Sequence, residues 1–186
     1  RPAIRLPPAT HPGAGQTIYI LLPDRFANGD RSNDTGGIPG GPEQHGFDPT
    51  RNGYYHGGDF PGLIGKLDYL QGLNVTTLWT TPPFRNNPVQ GISGSGYHGY
   101  WITDFENIDP HFGTNADYRE FVRQAHARGL RVYLDIVVNH TGDIIQYQGD
   151  KYTYVDTKAA PTRDAAGQPF DERAAAYNGL NNPEAF

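Results

Sequence analysis

Short apolar runs alternate with apolar residues at helical spacing along most of the chain. The runs at 17–22, 75–80 and 131–138 are rich in β-branched and aromatic residues, and they predict three buried strands. Apolar positions from Leu63 to Leu70 follow the spacing i, i+1, i+4, i+7, and those from Tyr118 to Ala125 follow i, i+3, i+4, i+7. Each set predicts one face of a helix. Strands that alternate with helices predict an α/β fold with a parallel sheet.

The ends of the predicted helices carry recognisable signals. Thr114, with Asp117 three residues later, resembles a capping box, and Gly72 and Gly129 are helix stop signals. Long polar segments follow the strands, whereas the turns from helix to strand are very short. Loops after strands form the active-site face of a (β/α)8 barrel, but a doubly wound sheet shows the same alternation, so the pattern leaves both open. The absence of a G-x-G-x-x-G motif after the first strand weakens a dinucleotide-binding interpretation.

The composition excludes several classes of function. A formal net charge of -5 argues against nucleic acid or an anionic membrane surface as partner. Without cysteine, the chain has no thiol nucleophile, thiolate metal site or disulfide. Residues 1–16 form a proline-rich lead-in without the apolar core of a signal peptide, and the chain has no methionine, so we expect a processed form or a piece of a longer protein. Beyond Thr141 the pattern predicts at most a short helix at Asp171–Tyr177.

A candidate metal-binding loop follows the first strand. Asn28, Asp30, Asn33 and Asp34 place four oxygen-bearing side chains within seven residues around a glycine. Calcium takes roughly 6–8 oxygen ligands, so further ligands are needed, and the Gly-Gly-Asp segment at 57–59 supplies them if the loop folds back. The same composition is typical of an ordinary turn, because Asn, Asp and Gly dominate turns. The spacing alone therefore leaves a calcium site and a structural turn open.

Aromatic and polar residues follow the second and third predicted strands. Tyr-His-Gly-Tyr-Trp at 97–101 offers flat rings that suit the apolar faces of sugars, although such rings also pack down on the loops beneath them. Strand alternation places Asp135 inside an apolar strand, where a carboxylate needs partners, and we interpret it as a hydrogen-bonded structural residue. Asn139 and His140 come at the end of that strand, where barrel enzymes carry functional side chains.

Four segments carry a resemblance to a known family. They are PDRFANGD at 23–30, HGGDFPGLIGKLDYL at 56–70, YHGYW at 97–101 and DIVVNHT at 135–141. In order and spacing they resemble the α-amylase family, glycoside hydrolase family 13, and most closely its cyclodextrin glucanotransferase-like, calcium-binding members. The resemblance implies an α/β fold with three parts: a lead-in at 1–16, the first three strands of a (β/α)8 TIM barrel at 17–140, and the start of an irregular domain inserted after strand 3 at 141–186.

The resemblance also implies roles for individual residues. The residues that match ligands of a structural Ca²⁺ are Asn28, Asp30, Asn33, Asp34, Gly57 (through its carbonyl oxygen) and Asp59. Asn139 matches a ligand of a second Ca²⁺ between the barrel and the inserted domain, and Asp135 matches a supporting residue. The residues that match sugar contacts at the cleavage subsite, or lie beside them, are His98, Tyr100, Trp101 and His140.

The activity that the resemblance implies is retaining cleavage or transfer of α-1,4-glucosidic bonds in starch-like glucans by a secreted enzyme. Hydrolysis, cyclising transfer and a neopullulanase- or cyclomaltodextrinase-like specificity stay open. No Arg-x-Asp signature with suitable surroundings follows Thr141, so we expect the catalytic nucleophile and acid/base outside this chain, in barrel strands 4–8. Without those strands, we expect the chain to be unstable and inactive. The alternatives are a non-catalytic carbohydrate-binding relative and an unrelated calcium-stabilised α/β binding domain.

Overall fold

The computed structural model describes residues 15–90, 94–142 and 168–169. The chain divides into two compact units, Arg1–Ile144 and Ile145–Phe186, and every α-helix and β-strand of the described residues lies in the first. In chain order, these elements are β1 (Ile18–Leu21), α1 (Pro42–His45), α2 (Phe60–Ile64), α3 (Leu67–Gly72), β2 (Thr77–Thr80), β3 (Phe84–Asn86), β4 (Ile102–Ile108), α4 (Asn115–Ala127) and β5 (Arg131–Leu134).

Some sequence predictions fall outside this part of the chain. The short helix at Asp171–Tyr177, most of the inserted domain at 141–186 and most of the lead-in at 1–16 lie outside the described residues. Across the residues that are described, no helix has both the length and the apolar character that a membrane crossing requires.

Three parallel strands form the main sheet, with β2 between β1 and β5. Ile20 pairs with Trp79, and Trp79 pairs with Tyr133, so these side chains share one face of the sheet. The opposite face carries Leu21 and Leu78, which pack into the core beneath the helices. The predicted parallel α/β arrangement is therefore confirmed.

An aromatic cluster fills the space between the helices. Phe60, the first residue of α2, is fully buried. Its ring centroid lies 6.5 Å from that of Phe112, 5.1 Å from that of Tyr118 and 5.4 Å from that of Phe121. Such large rings supply much of the hydrophobic stabilisation in a small core, and they fix α2 against α4.

The helix predicted around 63–70 is wrong as a single element. The structure has two short helices, α2 and α3, which are interrupted at Gly65 and Lys66. Leu63, Leu67 and Leu70 are all fully buried, so the apolar spacing is satisfied without a continuous helix. Gly65 caps the end of α2, and glycine is a poor helix former.

The third predicted strand is too long. Pairing in β5 ends at Leu134 and not at Val138, because its partner β2 ends at Thr80. Pro82 and Pro83 follow soon after, and proline has no N–H group with which to continue a ladder of hydrogen bonds. Residues 135–140 therefore leave the sheet earlier than the sequence pattern suggests.

The segment before Gly113, predicted as a long loop, contains an antiparallel pair of strands, β3 and β4. The register shifts twice between them, which removes the alternation that identifies strands in a sequence. Asp109, which is buried, anchors this pair. Its carboxylate accepts hydrogen bonds from Asn86 N (2.8 Å) and His111 N (2.9 Å), and His111 Nδ1 lies 2.8 Å from it.

Candidate functional site

The carboxyl-terminal ends of the parallel strands carry the first candidate site. The turn at 97–101 lies at the end of β2, because Gly99 packs against the carbonyl oxygen of Pro82. A Cβ on Gly99 would stand 2.1 Å from that oxygen, and its φ of +86° also favours glycine. The turn brings Tyr100 next to Asp135, which directly follows β5. We call the following residues the rim: His98, Tyr100, Trp101, Asp135 and His140.

Tyr100 is held at three points. Its backbone N–H donates to His98 Nδ1 at 3.0 Å, and its carbonyl oxygen accepts a hydrogen bond from His140 Nε2 at 2.9 Å. Its hydroxyl group donates to Asp135 Oδ2 at 2.8 Å. Burial, together with this bond to a carboxylate, raises the pKa of Tyr100 to about 12. The side chain is therefore neutral and fixed in direction, although 38% of the residue is exposed.

Asp135 has the partners that a carboxylate among apolar neighbours requires. Its Oδ2 atom accepts hydrogen bonds from the Tyr100 hydroxyl and from Trp79 Nε1, the latter at 3.2 Å. The expected hydrogen bonding is present, whereas the supporting role in a reaction stays a prediction. The sequence analysis did not identify Trp79 as a site residue. Its position near the carboxyl end of a predicted strand was the signal that could have indicated it.

The hydrogen-bond partners fix the tautomers of the two rim histidines. His98 Nδ1 accepts from a backbone N–H, and burial lowers the pKa of His98, so its proton is on Nε2. His140 Nε2 donates to a carbonyl oxygen, while its Nδ1 lies 3.1 Å from the amide nitrogen of Asn139. The His98 ring also stacks on Tyr100 (5.8 Å, 20°) and meets Trp101 edge-on (4.7 Å, 86°).

The structure thus brings together all four residues that were predicted to contact sugar. His140 already uses both ring nitrogens within the protein, so a sugar hydroxyl group would have to replace one of these contacts. Within the described part of the chain, His98 Nε2 has no hydrogen-bond partner and is the available donor. Asn139 is exposed beside His140, and most of the inserted domain that it was predicted to face lies outside the described residues.

The predicted metal loop at 28–34 folds around Asp59. This carboxylate is fully buried and caps the first turn of α2. Its two oxygens accept four hydrogen bonds, which come from Gly29 N (2.9 Å), Asp30 N (2.8 Å), Asn33 Nδ2 (3.1 Å) and Gly62 N (2.7 Å). A single side chain therefore closes the loop and begins the helix.

Gly57, Asn28 and Asp34 meet on another side of the same loop. Asn28 Nδ2 donates to Asp34 Oδ1 at 2.6 Å, and a Cβ on Gly57 would stand 2.5 Å from both atoms. The fold thus brings the six residues that were predicted as ligands of the structural calcium, from two segments of chain, close together.

Two features of this loop are those that a cation site would need. Asn33 Oδ1 is buried and has no hydrogen-bond partner, so an oxygen ligand is present without a donor. Burial raises the pKa of Asp34, and the nearby carboxylates of Asp59 and Asp30 also raise it, against the lowering effects of Asn28 and Arg31. Crowded negative charge of this kind is relieved by a bound cation.

The geometry also sets conditions on binding. In the described residues no three histidine or carboxylate side chains converge on one point, so a cation here depends on amide and carbonyl oxygens. Asn28 directs its amide nitrogen at Asp34, and Asp59 already accepts four hydrogen bonds. The amide group of Asn28 would therefore have to turn when a cation binds.

A second buried carboxylate, Asp24, links the segment at 56–57 to Arg25, which reaches the turn at 97–101. Its Oδ1 atom accepts from the backbone N–H groups of His56 (2.8 Å) and Gly57 (3.2 Å), and burial raises its pKa to about 6. Arg25 Nε lies 2.9 Å from Oδ2 as an ion pair, but not at a hydrogen-bonding angle. The Arg25 guanidinium lies 4.0 Å from the ring centroid of Tyr97, at the start of the rim turn.

Comparisons with known proteins agree with these features. The family model for the alpha amylase catalytic domain matches residues 20–177. The chain is 49% identical over 130 residues to an alpha-amylase of Streptomyces lividans, covering 68% of this chain and 14% of that protein. It is 42% identical over 146 residues to the periplasmic alpha-amylase of Escherichia coli (strain K12), covering 71% of this chain and 21% of that protein.

Two solved structures of similar proteins also match this chain. A cyclomaltodextrin glucanotransferase with a three-domain ABC distribution, CldA, matches with a TM-score of 0.61 and 41% identity. The match covers 68% of this chain and 26% of that one. An Anoxybacillus alpha-amylase matches with a TM-score of 0.57 and 42% identity over 68% of this chain and 25% of that one.

The sheet and the rim define a parallel β/α domain whose candidate functional residues follow the strand ends, as in barrel enzymes. The chain belongs to the alpha-amylase catalytic-domain family, and it forms the N-terminal part of that family's (β/α)8 barrel. It spans only 14% and 21% of the length of the two curated relatives described above.

Proposed function

We propose that the chain is part of a retaining glycoside hydrolase or transglycosylase that acts on α-1,4-glucosidic bonds of starch-like glucans. The observation that carries this proposal is Tyr100, a partly exposed ring fixed at the ends of parallel strands by three hydrogen bonds. A fixed aromatic ring beside an imidazole donor suits the apolar face and the hydroxyl groups of a glucose unit. The names of two relatives, an alpha-amylase and a cyclomaltodextrin glucanotransferase, support the same substrate class.

The rim residues bind and orient the sugar in this proposal. The Tyr100 ring stacks on a glucose unit, and Nε2–H of the neutral His98 donates to a sugar hydroxyl group. Asp135 fixes the direction of Tyr100 through its hydroxyl group. Holding the sugar in one geometry lowers the entropic part of the barrier to reaction.

Two acidic residues near the strand ends, Asp135 of the rim and Asp109, do not supply the catalytic pair. A retaining glycosidase needs a nucleophile and an acid/base about 5–5.5 Å apart across the scissile bond. Asp135 uses one oxygen to hold both Tyr100 and Trp79, and Asp109 is buried against His111. We therefore place the nucleophile and the acid/base outside this chain, in the remaining barrel strands, and we expect the isolated chain to be unstable and inactive.

An activity assay tests the proposal. We expect the complete enzyme to cleave maltooligosaccharides with retention of anomeric configuration, observed by NMR, and we expect no turnover from the isolated 186-residue chain. Linear or cyclic products then separate hydrolysis from cyclising transfer. Replacing Tyr100 by alanine should lower kcat/KM at least 10-fold, because the loss of a fixed contact costs about 1.4 kcal/mol or more.

A control variant separates this effect from general damage. Tyr69 is 58% exposed on α3, and Tyr69→Ala should leave kcat/KM unchanged. Starch hydrolysis by the isolated chain at the rate of an intact amylase would refute the placement of the catalytic pair. Unchanged kcat/KM in Tyr100→Ala would remove the role given to the rim.

We also propose that a Ca²⁺ ion binds the loop that Asp59 closes. The oxygens that would hold it are those of Asn28, Asp30, Asn33, Asp34, the Gly57 carbonyl and Asp59. A divalent cation would neutralise the crowded carboxylates and tie the segment at 28–34 to the one at 57–59. The unpartnered oxygen of Asn33 supports this assignment.

Thermal unfolding with and without a chelator tests the calcium proposal. Any ligand that binds only the folded state raises the melting temperature, so we expect a chelator to lower it and added Ca²⁺ to restore it. Asn33→Ala should remove most of this response, whereas Asn107→Ala, at an exposed position of β4, should not. A melting temperature that is insensitive to the chelator in the parent enzyme would contradict the proposal.

We further propose that the enzyme is secreted, as polymeric starch lies outside cells. The relative from Escherichia coli is a periplasmic protein by its name, which supports export of this one. Measuring α-glucan cleavage in the culture medium and in the cells of the source organism distinguishes the two locations. Activity confined to the cells would contradict export.

A further inference from the structure

Trp79 contacts the same carboxylate oxygen as Tyr100. Its Nε1 atom donates to Asp135 Oδ2 at 3.2 Å, and the Tyr100 hydroxyl group donates to that atom at 2.8 Å. The three residues come from separate segments: β2, the turn at 97–101, and the residues that follow β5. One acceptor atom therefore joins a strand to a loop.

The three partners differ in how firmly the backbone holds them. Trp79 lies within β2, the central strand of the sheet, and is paired on both sides, with Ile20 and with Tyr133. Asp135 lies one residue beyond the last paired residue of β5, Leu134, so strand pairing does not fix its direction. A donor on a rigid strand supplies the missing constraint, and hydrogen bonds to a carboxylate are stronger than those between neutral groups.

We propose that Trp79 is a positioning residue that fixes the Tyr100 hydroxyl group, and with it the sugar-facing ring, through the shared oxygen of Asp135. This inference rests on the proposed function, since the sugar-binding role of Tyr100 is part of that proposal. Trp79 acts through Asp135 and does not itself contact the reacting atoms. Without its N–H donor, the carboxylate is free to turn away, and Tyr100 loses its third point of attachment.

A double-mutant cycle on kcat/KM in the complete enzyme tests this coupling. Trp79→Phe keeps an aromatic ring but removes the N–H group, and Tyr100→Phe keeps the ring but removes the hydroxyl group. We expect each single variant to lose about 10-fold, the size of one hydrogen bond to a charged group. The double variant should lose about as much as Tyr100→Phe alone, because both changes interrupt the same connection.

Tyr133→Phe is the matched control. Tyr133 is the β5 register partner of Trp79 on the same face of the sheet, but its hydroxyl group donates to Gln16 (3.1 Å) and not to Asp135. This variant should keep the parental kcat/KM and the parental response to Tyr100→Phe. If the losses of kcat/KM in Trp79→Phe and Tyr100→Phe multiply in full in the double variant, the two residues act independently and the inference is overturned.

A spectroscopic readout separates this inference from the proposed function. The indole N–H signal of Trp79, assigned by its loss in Trp79→Phe, should shift in Asp135→Asn, since its acceptor changes from a carboxylate to an amide. A signal that does not shift overturns the inference whatever the activity. If the wild-type enzyme leaves α-1,4-glucans intact, the proposed function fails, while the indole signal still decides whether Trp79 holds Asp135.

Discussion

At the scale of single residues, the rim depends on how many constraints converge on Tyr100. Its backbone N–H, its carbonyl oxygen and its hydroxyl group each have a partner from a different position in the chain. A side chain held in this way keeps one orientation before any ligand arrives, so ligand binding does not have to supply the ordering free energy.

The hydroxyl–carboxylate contact predicts a distinct pH dependence. An unfolded chain releases the Tyr100 proton near the ordinary tyrosine pKa of about 10, whereas burial and Asp135 raise it to about 12 in the fold. The contact therefore stabilises the folded state fully below the ordinary pKa, and this contribution is lost as the pH rises through the folded pKa. In Asp135→Asn, the pKa of Tyr100 should fall towards its ordinary value.

Ultraviolet difference titration measures this pKa. Subtracting the titration of Tyr100→Phe isolates Tyr100 from the other tyrosines, both in the parent enzyme and in Asp135→Asn. Asp104→Asn, which changes a carboxylate on β4 that bonds Asn107 and Glu106 instead, is the control. The same Tyr100 pKa in the parent and in Asp135→Asn would contradict the assignment.

The sequence predicted one part of this contact but not the other. Strand alternation indicated that Asp135 is a carboxylate in need of partners, and that need is met. The identity of one partner, Trp79, depends on the register between β2 and β5, which lie 56 residues apart at this contact. Local periodicity carries no information about such a register, so the residue that completes the rim was not predictable from it.

At the scale of elements, Asp59 joins the loop at 28–34 to α2. The same carboxylate that caps the helix also accepts hydrogen bonds from the loop backbone at Gly29 and Asp30. Loop and helix should therefore order together, with or without a bound cation.

Asp59→Asn tests this dependence. An amide has one oxygen where the carboxylate has two, and its N–H₂ group would face donors that have no other partner. We expect the free energy of unfolding to fall by about 3 kcal/mol, measured by denaturant titration of the enzyme with chelator present, so that calcium does not contribute.

Asp68→Asn is the control for the same substitution at an exposed site. The Asp68 side chain is 83% exposed and pairs with Arg128, and exposed ion pairs contribute about 0–1 kcal/mol. Equal losses in the two variants would show that Asp59 is not the connection between loop and helix.

Local sequence signals predicted an element well where the signal and the element lie within a few residues of each other. The capping box at Thr114 and Asp117 is present, and α4 begins at Asn115, directly after Thr114. The prediction failed where pairing with another strand decides where a strand ends or whether it forms. β5 ends early because prolines stop β2, and the bulged pair β3–β4 leaves no alternating pattern to detect.

At the scale of the whole molecule, one face of the main sheet has little cover within the described residues. Ile20 is 60% exposed, while Leu21, its neighbour on the other face, is 4% exposed. In a closed (β/α)8 barrel the inward face is filled by layers of branched side chains. The remaining strands of the barrel are the cover that this face requires.

We therefore expect Ile20→Thr to be harmful in the complete enzyme and beneficial in the isolated chain. In the complete enzyme Ile20→Thr should lower the free energy of unfolding by about 2 kcal/mol, because it places a hydroxyl group in the barrel interior. In the isolated chain the same change should reduce aggregation, because it removes exposed apolar surface. Denaturant titration of the enzyme and light scattering of the isolated chain measure the two effects.

Tyr69→Thr serves as the comparison, because Tyr69 is 58% exposed, nearly the same as Ile20, but lies on α3 outside the sheet. A barrel that closes over Ile20 does not cover the outer surface of that helix, so stability of the complete enzyme should change little in this variant. If Ile20→Thr is as harmless to the complete enzyme as Tyr69→Thr, no further strands cover this face, and the chain would not be part of a closed barrel.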